Sequence, residues 1–183
     1  MEIYLYILMG VVVILITMAY VFLSLGIAIV SGAPWVPTKR ALAKRMFELA
    51  DIKEGDTVLD LGSGDGSLLF VAVEDFGASI GVGFEINPFL VWYTRFRARR
   101  AHIKEKIKVT RGNMYRAPLP DVDIVALYLL PKTMDKLRPR FVQYLNPDAK
   151  IVSHAFKFAG VVPEKVIDTP KDSLYLYRVR DLA

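Results

Sequence analysis

A short apolar strand that runs straight into an acid and three alternating glycines constrains this chain more than any other feature: Thr57-Val58-Leu59-Asp60-Leu61-Gly62-Ser63-Gly64-Asp65-Gly66. Val58, Leu59 and Leu61 supply a buried strand. The glycines let the backbone turn tightly and approach a ligand without Cβ atoms in the way. A helix from about Ser67 through Val73 then aims its first amide groups back at that ligand. This is a cradle for a nucleotide-like cofactor. A nicotinamide-type loop, G-x-G-x-x-G, would place its third glycine at position 67, where Ser67 stands instead. Gly66 is the deciding glycine.

About twenty residues on, Ser79-Ile80-Gly81-Val82-Gly83-Phe84 reads as the next strand and ends at Glu85. A carboxylate there can accept both hydroxyls of a ribose in a bidentate contact. The spelling D-x-G-x-G-x-G, with Glu85 at this distance, resembles motif I of the class I S-adenosylmethionine-dependent methyltransferases. The resemblance implies S-adenosyl-L-methionine as cofactor and a Rossmann-like α/β fold.

Residues 3 to 30 carry no charge at all, where roughly 20 apolar residues suffice to cross a bilayer. A buried core helix seldom runs so long without a polar face. A signal peptide would carry a basic start and a shorter apolar stretch, whereas this segment begins with Glu2. The expectation is a single transmembrane helix over residues 1–30 and a linker over 31–38. Residues 39–183 then form the catalytic domain. Lys39, Arg40, Lys44 and Arg45 follow the span, so the positive-inside rule puts that domain on the cytoplasmic side.

The chain holds 24 Lys and Arg against 19 Asp and Glu, and every basic residue lies beyond residue 30. Such a domain suits an anionic membrane surface. The richest patch is Arg95, Arg97, Arg99, Arg100, Lys104, Lys106, Lys108 and Arg111, opposed only by Glu105. It reads equally as a solvated face or as a contact for lipid or an acidic substrate. No stacking platform accompanies the charge, so nucleic acid is not an expected partner. With no cysteine and two distant histidines, His102 and His154, neither a thiol mechanism nor a metal site is expected.

Strand and helix signals alternate along the remainder, as in a doubly wound sheet. Thr38 can cap an amphipathic helix through about Ala50, and Asn87 with Pro88 can open a long helix whose apolar stripe includes Phe89, Tyr93, Phe96 and Ile103. Lys106 to Thr110 reads as a third strand, and the run from Val122 to Leu130 as a central one, closed by Pro131. A helix from about Lys132 to Leu145 leads to a fifth strand at Lys150 to Phe156. Alternating residues around 165–168 and 174–179 suggest a terminal antiparallel hairpin.

A narrower resemblance rests on Pro34-Trp35-Val36-Pro37-Thr38, on the run from Phe84 to Arg95, and on Val152-Ser153-His154-Ala155-Phe156. These segments resemble the seven-strand protein-lysine methyltransferases that include the enzymes modifying the ATP synthase c-subunit and the adenine nucleotide translocase, together with archaeal relatives. The resemblance implies cofactor contacts at Asp60, Gly62 and Gly64 around the methionine moiety and at Glu85 on the ribose. Asn87, in the same matched run, is expected to contact the cofactor as well. Asn113 and Met114 match the adenine contacts, with Asn where many relatives have Asp. Trp35 and Thr38 match a segment folded over the cofactor, although Trp35 also reads as an interfacial anchor of the span.

A sulfonium methyl is already activated, so the enzyme mainly has to hold an amine in line with it and exclude water. An acceptor lysine is harder to prepare, since only about one in 2,500 is neutral at pH 7. Desolvation and the sulfonium charge both lower its pKa, so no strong base is required. Tyr128, at the end of the fourth strand, is a candidate for the acceptor channel. His154 is expected as a core or edge histidine before a base. The resemblance implies a lysine acceptor on a membrane-associated protein, and about seven linker residues, reaching at most roughly 25 Å, keep the site close to the bilayer. A lipid or small hydrophobic acceptor, or cofactor binding without catalysis, are the alternatives.

Overall fold

The computed structural model describes the backbone of residues 2–31, 36–169 and 172–183, and the side chains of 3–22, 36–169 and 172–183. It divides into two compact units, Met1–Trp35 and Val36–Ala183. Residues 32–35 of the 31–38 linker, Trp35 among them, lie outside the described residues.

The first unit is one helix, α1 (Glu2–Ser31). Its side chains from Ile3 to Phe22 are all exposed, and this stretch of 20 residues is long and apolar enough to cross a membrane. Thr17 donates its hydroxyl to the Val13 carbonyl at 2.8 Å, so this polar group is satisfied within the helix itself.

The second unit runs α2 (Arg40–Leu49), β1 (Thr57–Leu61), α3 (Ser67–Phe76), β2 (Ile80–Glu85), α4 (Pro88–Arg100), β3 (Ile107–Arg111), β4 (Ile124–Leu127), α5 (Pro131–Tyr144), β5 (Lys150–His154), β6 (Lys165–Asp168) and β7 (Ser173–Arg178). The seven strands form one sheet in the order β3-β2-β1-β4-β5-β7-β6. The first five are parallel, and β7 enters antiparallel between β5 and β6. This is the Rossmann-like sheet with a terminal antiparallel hairpin that the alternating pattern predicts.

Alternation along the strands feeds two cores, one on each face. Val58, Ile124, Ala126 and Val152 pack with α2, α3 and α4, while Leu59, Leu61, Val125, Leu127 and Ile151 pack with α5. Each large side chain fully removed from water here contributes about 1.5–3 kcal/mol. The chain passes from β1 to β2 on one side and to β4 on the other, so the strand order reverses beside β1. Open sheets bind ligands at such a point, at the carboxyl ends of the strands.

Several local expectations shift. The first helix of this unit starts at Arg40 behind Lys39, not behind Thr38, and no side chain caps it. Arg40 is instead drawn to Glu74 and Asp75 on α3 at 2.9 and 2.5 Å. Pro131, expected to close a strand, opens α5, where its missing N–H costs nothing. The fifth strand stops at His154 because Ala155 takes a φ of 64°.

The larger correction concerns α4. Leu90, Val91, Thr94 and Ala98 face the core, whereas Phe89, Tyr93 and Phe96 of the expected stripe are exposed. Only Ile103 packs against the interior.

Candidate cofactor and acceptor site

The glycine loop leaves β1 at the reversal point and is tied to β2. The amides of Gly62 and Ser63 both donate to the Phe84 carbonyl, at 2.8 and 3.1 Å. Gly62, Gly64 and Gly66 have φ of 81°, 54° and 76°, a region open to glycine and costly for other residues. Gly66 also permits a close approach: a Cβ there would stand 2.5 Å from Thr94 Cγ2 on α4. Asp65 starts α3, accepting from the Ser67 amide at 3.2 Å and hydroxyl at 2.7 Å.

Glu85 ends β2 and is 8% exposed. Its carboxylate oxygens accept from the Gly64 amide at 2.9 Å and the Asn87 amide at 2.7 Å. One side chain thus joins the glycine loop to the start of α4. Each oxygen keeps a further lone pair, which suits a diol. Asn87 caps α4, accepting from the Phe89 amide at 2.9 Å.

Asp60 is 4% exposed, and no hydrogen bond reaches its carboxylate among the described residues. Burial, then the nearby charges of Glu85 and Asp65, push its pKa up to about 8. A buried acid without a donor is costly, and a cationic partner would relieve that cost.

Past β3, Asn113 is exposed and its side chain accepts from the Tyr115 amide at 2.9 Å. Met114 is buried, with its methyl group 3.4 Å from where a Cβ on Gly62 would stand. Arg140 of α5 pins this turn by donating to the Met114 carbonyl at 2.8 Å and to the Ala117 carbonyl.

The opposite wall comes from the ends of β4 and β5. Asp60 pairs with Ala126 and Leu127 with Ser153, so Gly62, Tyr128 and His154 emerge at one level of the sheet edge. Tyr128 is half-buried, with its ring 4.2 Å from that of His154 between centroids. His154 is buried; its Nε2 lies 3.1 Å from an Asp172 carboxylate oxygen, and its Nδ1 has no partner. Asp172 thus braces that buried ring.

A family model described as "ANTKMT methyltransferase domain" matches residues 60–165. The chain belongs to this methyltransferase family. S-adenosylmethionine is its cofactor, and the buried, donorless Asp60 and the glycine cradle fit it. A protein-lysine N-methyltransferase of Saccharolobus islandicus is 30% identical over 152 residues, covering 81% of this chain and 94% of that protein. An ATP synthase c-subunit lysine N-methyltransferase of Xenopus laevis is 29% identical over 79% of this chain, which spans 62% of its length. Among solved structures, an RNA methyltransferase from Salinibacter ruber in complex with S-adenosyl-L-homocysteine is 38% identical, with a TM-score of 0.76 and coverage of 79% and 94% of the two chains.

In this methyltransferase, the structure gathers Asp60, Gly62, Gly64, Glu85 and Asn87 around one loop and sets Met114 beside Gly62. Thr38 sits half-buried in the extended lead to α2, and Tyr128 one residue beyond β4. Several positioning residues escape a reading of the sequence alone. Arg97 donates to the Asp65 carbonyl at 2.9 Å and lies 4.1 Å over the Phe70 ring, and Thr94 donates to the Gly64 carbonyl at 3.3 Å. Thr94, a hydroxyl amid apolar and basic neighbours, is the one visible signal. A cleft of about 340 Å³ lined by Lys53, Asp56, Asp121 and Asp148 lies at the amino ends of the strands, away from this site.

Proposed function

We propose that this chain methylates the ε-amine of a lysine on a membrane-associated protein. The match over nearly the whole of an archaeal protein-lysine N-methyltransferase carries this reading. The acceptor wall agrees with it: an aromatic ring and an anchored imidazole can order an amine and exclude water. S-adenosylmethionine supplies a methyl group already activated on a sulfonium. Glu85 would take its ribose, Asp60 and Gly62 to Gly64 its methionine end, and Asn113 and Met114 its adenine. Asn87, as the cap of α4, would hold Glu85 in place, and Tyr128 would line the acceptor channel.

Residues 1–30 would be a single-pass anchor with the domain in the cytoplasm, supported by the charge-free run of residues 3–30 and the basic residues after it. The test is mass spectrometry of membrane proteins incubated with the full chain and with a chain lacking residues 1–30. Both forms should methylate a short lysine peptide, while the truncated form should lose most activity on the membrane target. A second reading, RNA as acceptor, draws on the Salinibacter neighbour, which is described as an RNA methyltransferase. Methyl label in the RNA or lipid fraction would displace the lysine assignment.

The carboxyl group of Asp60 makes the cofactor site pH-dependent. Its pKa of about 8 in the folded protein lies above the ordinary value, so it is protonated at pH 6. The ligand's ammonium group favours the ionised form, and binding below pH 8 releases a proton. At higher pH the ligand's own ammonium loses its proton, and the attraction is lost again. S-adenosylhomocysteine should therefore bind at least about tenfold tighter at pH 8 than at pH 6 and weaken again beyond. Calorimetry across that range checks this, and Asp60→Asn should abolish the rise.

A further inference from the structure

α4 presents to solvent the kind of surface that most helices bury. Its core face is made of Leu90, Val91, Thr94 and Ala98. On the opposite side Trp92, Tyr93 and Phe96 are 54%, 38% and 42% exposed, and Trp92 stacks on Phe96 with ring centroids 5.6 Å apart. Arg99 and Arg100 follow on the same side, one turn further along.

The basic residues around this face divide into two groups. Arg95 is spent inside the fold, donating to the Val109 carbonyl at 2.9 and 2.6 Å, and Arg97 holds the glycine loop. Lys104 and Lys108 share Glu105. Among the described residues no ion pair engages Arg99, Arg100, Lys106 or Arg111. Complementing the helix dipole would account for the arginines of the last turn, but for none of the aromatic rings.

We propose that this outer face of α4, with Arg99 and Arg100, is a docking surface for an anionic lipid bilayer. Trp and Tyr settle at the headgroup level of membranes, where an amphipathic ring meets both media. Each Lys or Arg near an anionic leaflet adds attraction, on the order of 1 kcal/mol. A helix side with an aromatic stripe and two unpaired arginines complements an anionic surface in both polarity and charge. Glu85, three residues before Pro88, belongs to the cofactor cradle, so docking of α4 would bring the site itself to the headgroups. This inference goes beyond the acceptor assignment and does not require that α1 span a membrane.

The chain has two tryptophans, so a full-length Trp35→Phe variant leaves Trp92 as the sole reporter. It is reconstituted with vesicles of phosphatidylcholine, alone or mixed with phosphatidylglycerol, both brominated on their acyl chains. With the anionic mixture Trp92 should lose most of its emission to bromine quenching, and with neutral vesicles little. Adding Arg99→Glu and Arg100→Glu should return quenching to the neutral level while S-adenosylhomocysteine binding persists, which shows the variant folded. Equal quenching in both lipids, or quenching unchanged by charge reversal, overturns the proposal. So does protection of Trp92 only when a membrane protein is added, which would make the face a protein contact. Flotation of the chain is read in parallel: floating with both vesicle types while Trp92 stays unquenched keeps the anchor and removes the docking surface.

Discussion

Replacing Glu85 by Ala is expected to weaken S-adenosylhomocysteine binding at least about a hundredfold. In the proposed site two charge-assisted hydrogen bonds to the ribose would be lost, each worth roughly 1.5–3 kcal/mol. The same substitution orphans the amides of Gly64 and Asn87, which Glu85 holds at 2.9 and 2.7 Å, so the loop and the start of α4 lose their common tie. Glu85→Gln should recover little, because its amide carries donors toward one of two backbone donors. Calorimetry on the full chain reads both variants, and an affinity within threefold of the parent, taken as about 0.6 kcal/mol, would remove Glu85 from the cofactor site.

Gly66→Ala is expected to cost about 3 kcal/mol of stability. An L-residue at a φ of 76° pays about 1 kcal/mol or more in backbone strain, and its Cβ would lie 2.5 Å from Thr94 Cγ2 and 3.4 Å from Phe70. For a unit of this size the midpoint of thermal unfolding should fall by about 10 °C. Thr94→Ser removes the clashing methyl and keeps the hydroxyl that donates to the Gly64 carbonyl. The double variant should therefore regain about half of the loss, since the clash is relieved and the strain remains. If Gly66→Ala melts with the parent, the close approach of α4 to the loop is not what requires glycine at 66.

The amino-acid sequence by itself determined those parts of this protein that depend on neighbours along the chain. An apolar strand followed by Asp60, Gly62, Gly64 and Gly66 turns where its glycines permit, Asn87-Pro88 begins a helix, and the uncharged residues 3–22 form a helix with no polar face. Glu85 was legible for the same reason, as the last residue of the strand after the glycine loop. What faces what was decided only in three dimensions. The stripe Phe89, Tyr93, Phe96 and the set Leu90, Val91, Thr94, Ala98 both have helical spacing, and periodicity does not tell which of the two meets the sheet. Arg95 and Arg97 read as surface charge until β3 and the glycine loop supply the carbonyls they bond. Asp172 reaches His154 only because β5 and β7 pair antiparallel, with His154 opposite Leu174. Such contacts are set by long-range pairing and by competition for the interior, and no local pattern of residues encodes the outcome.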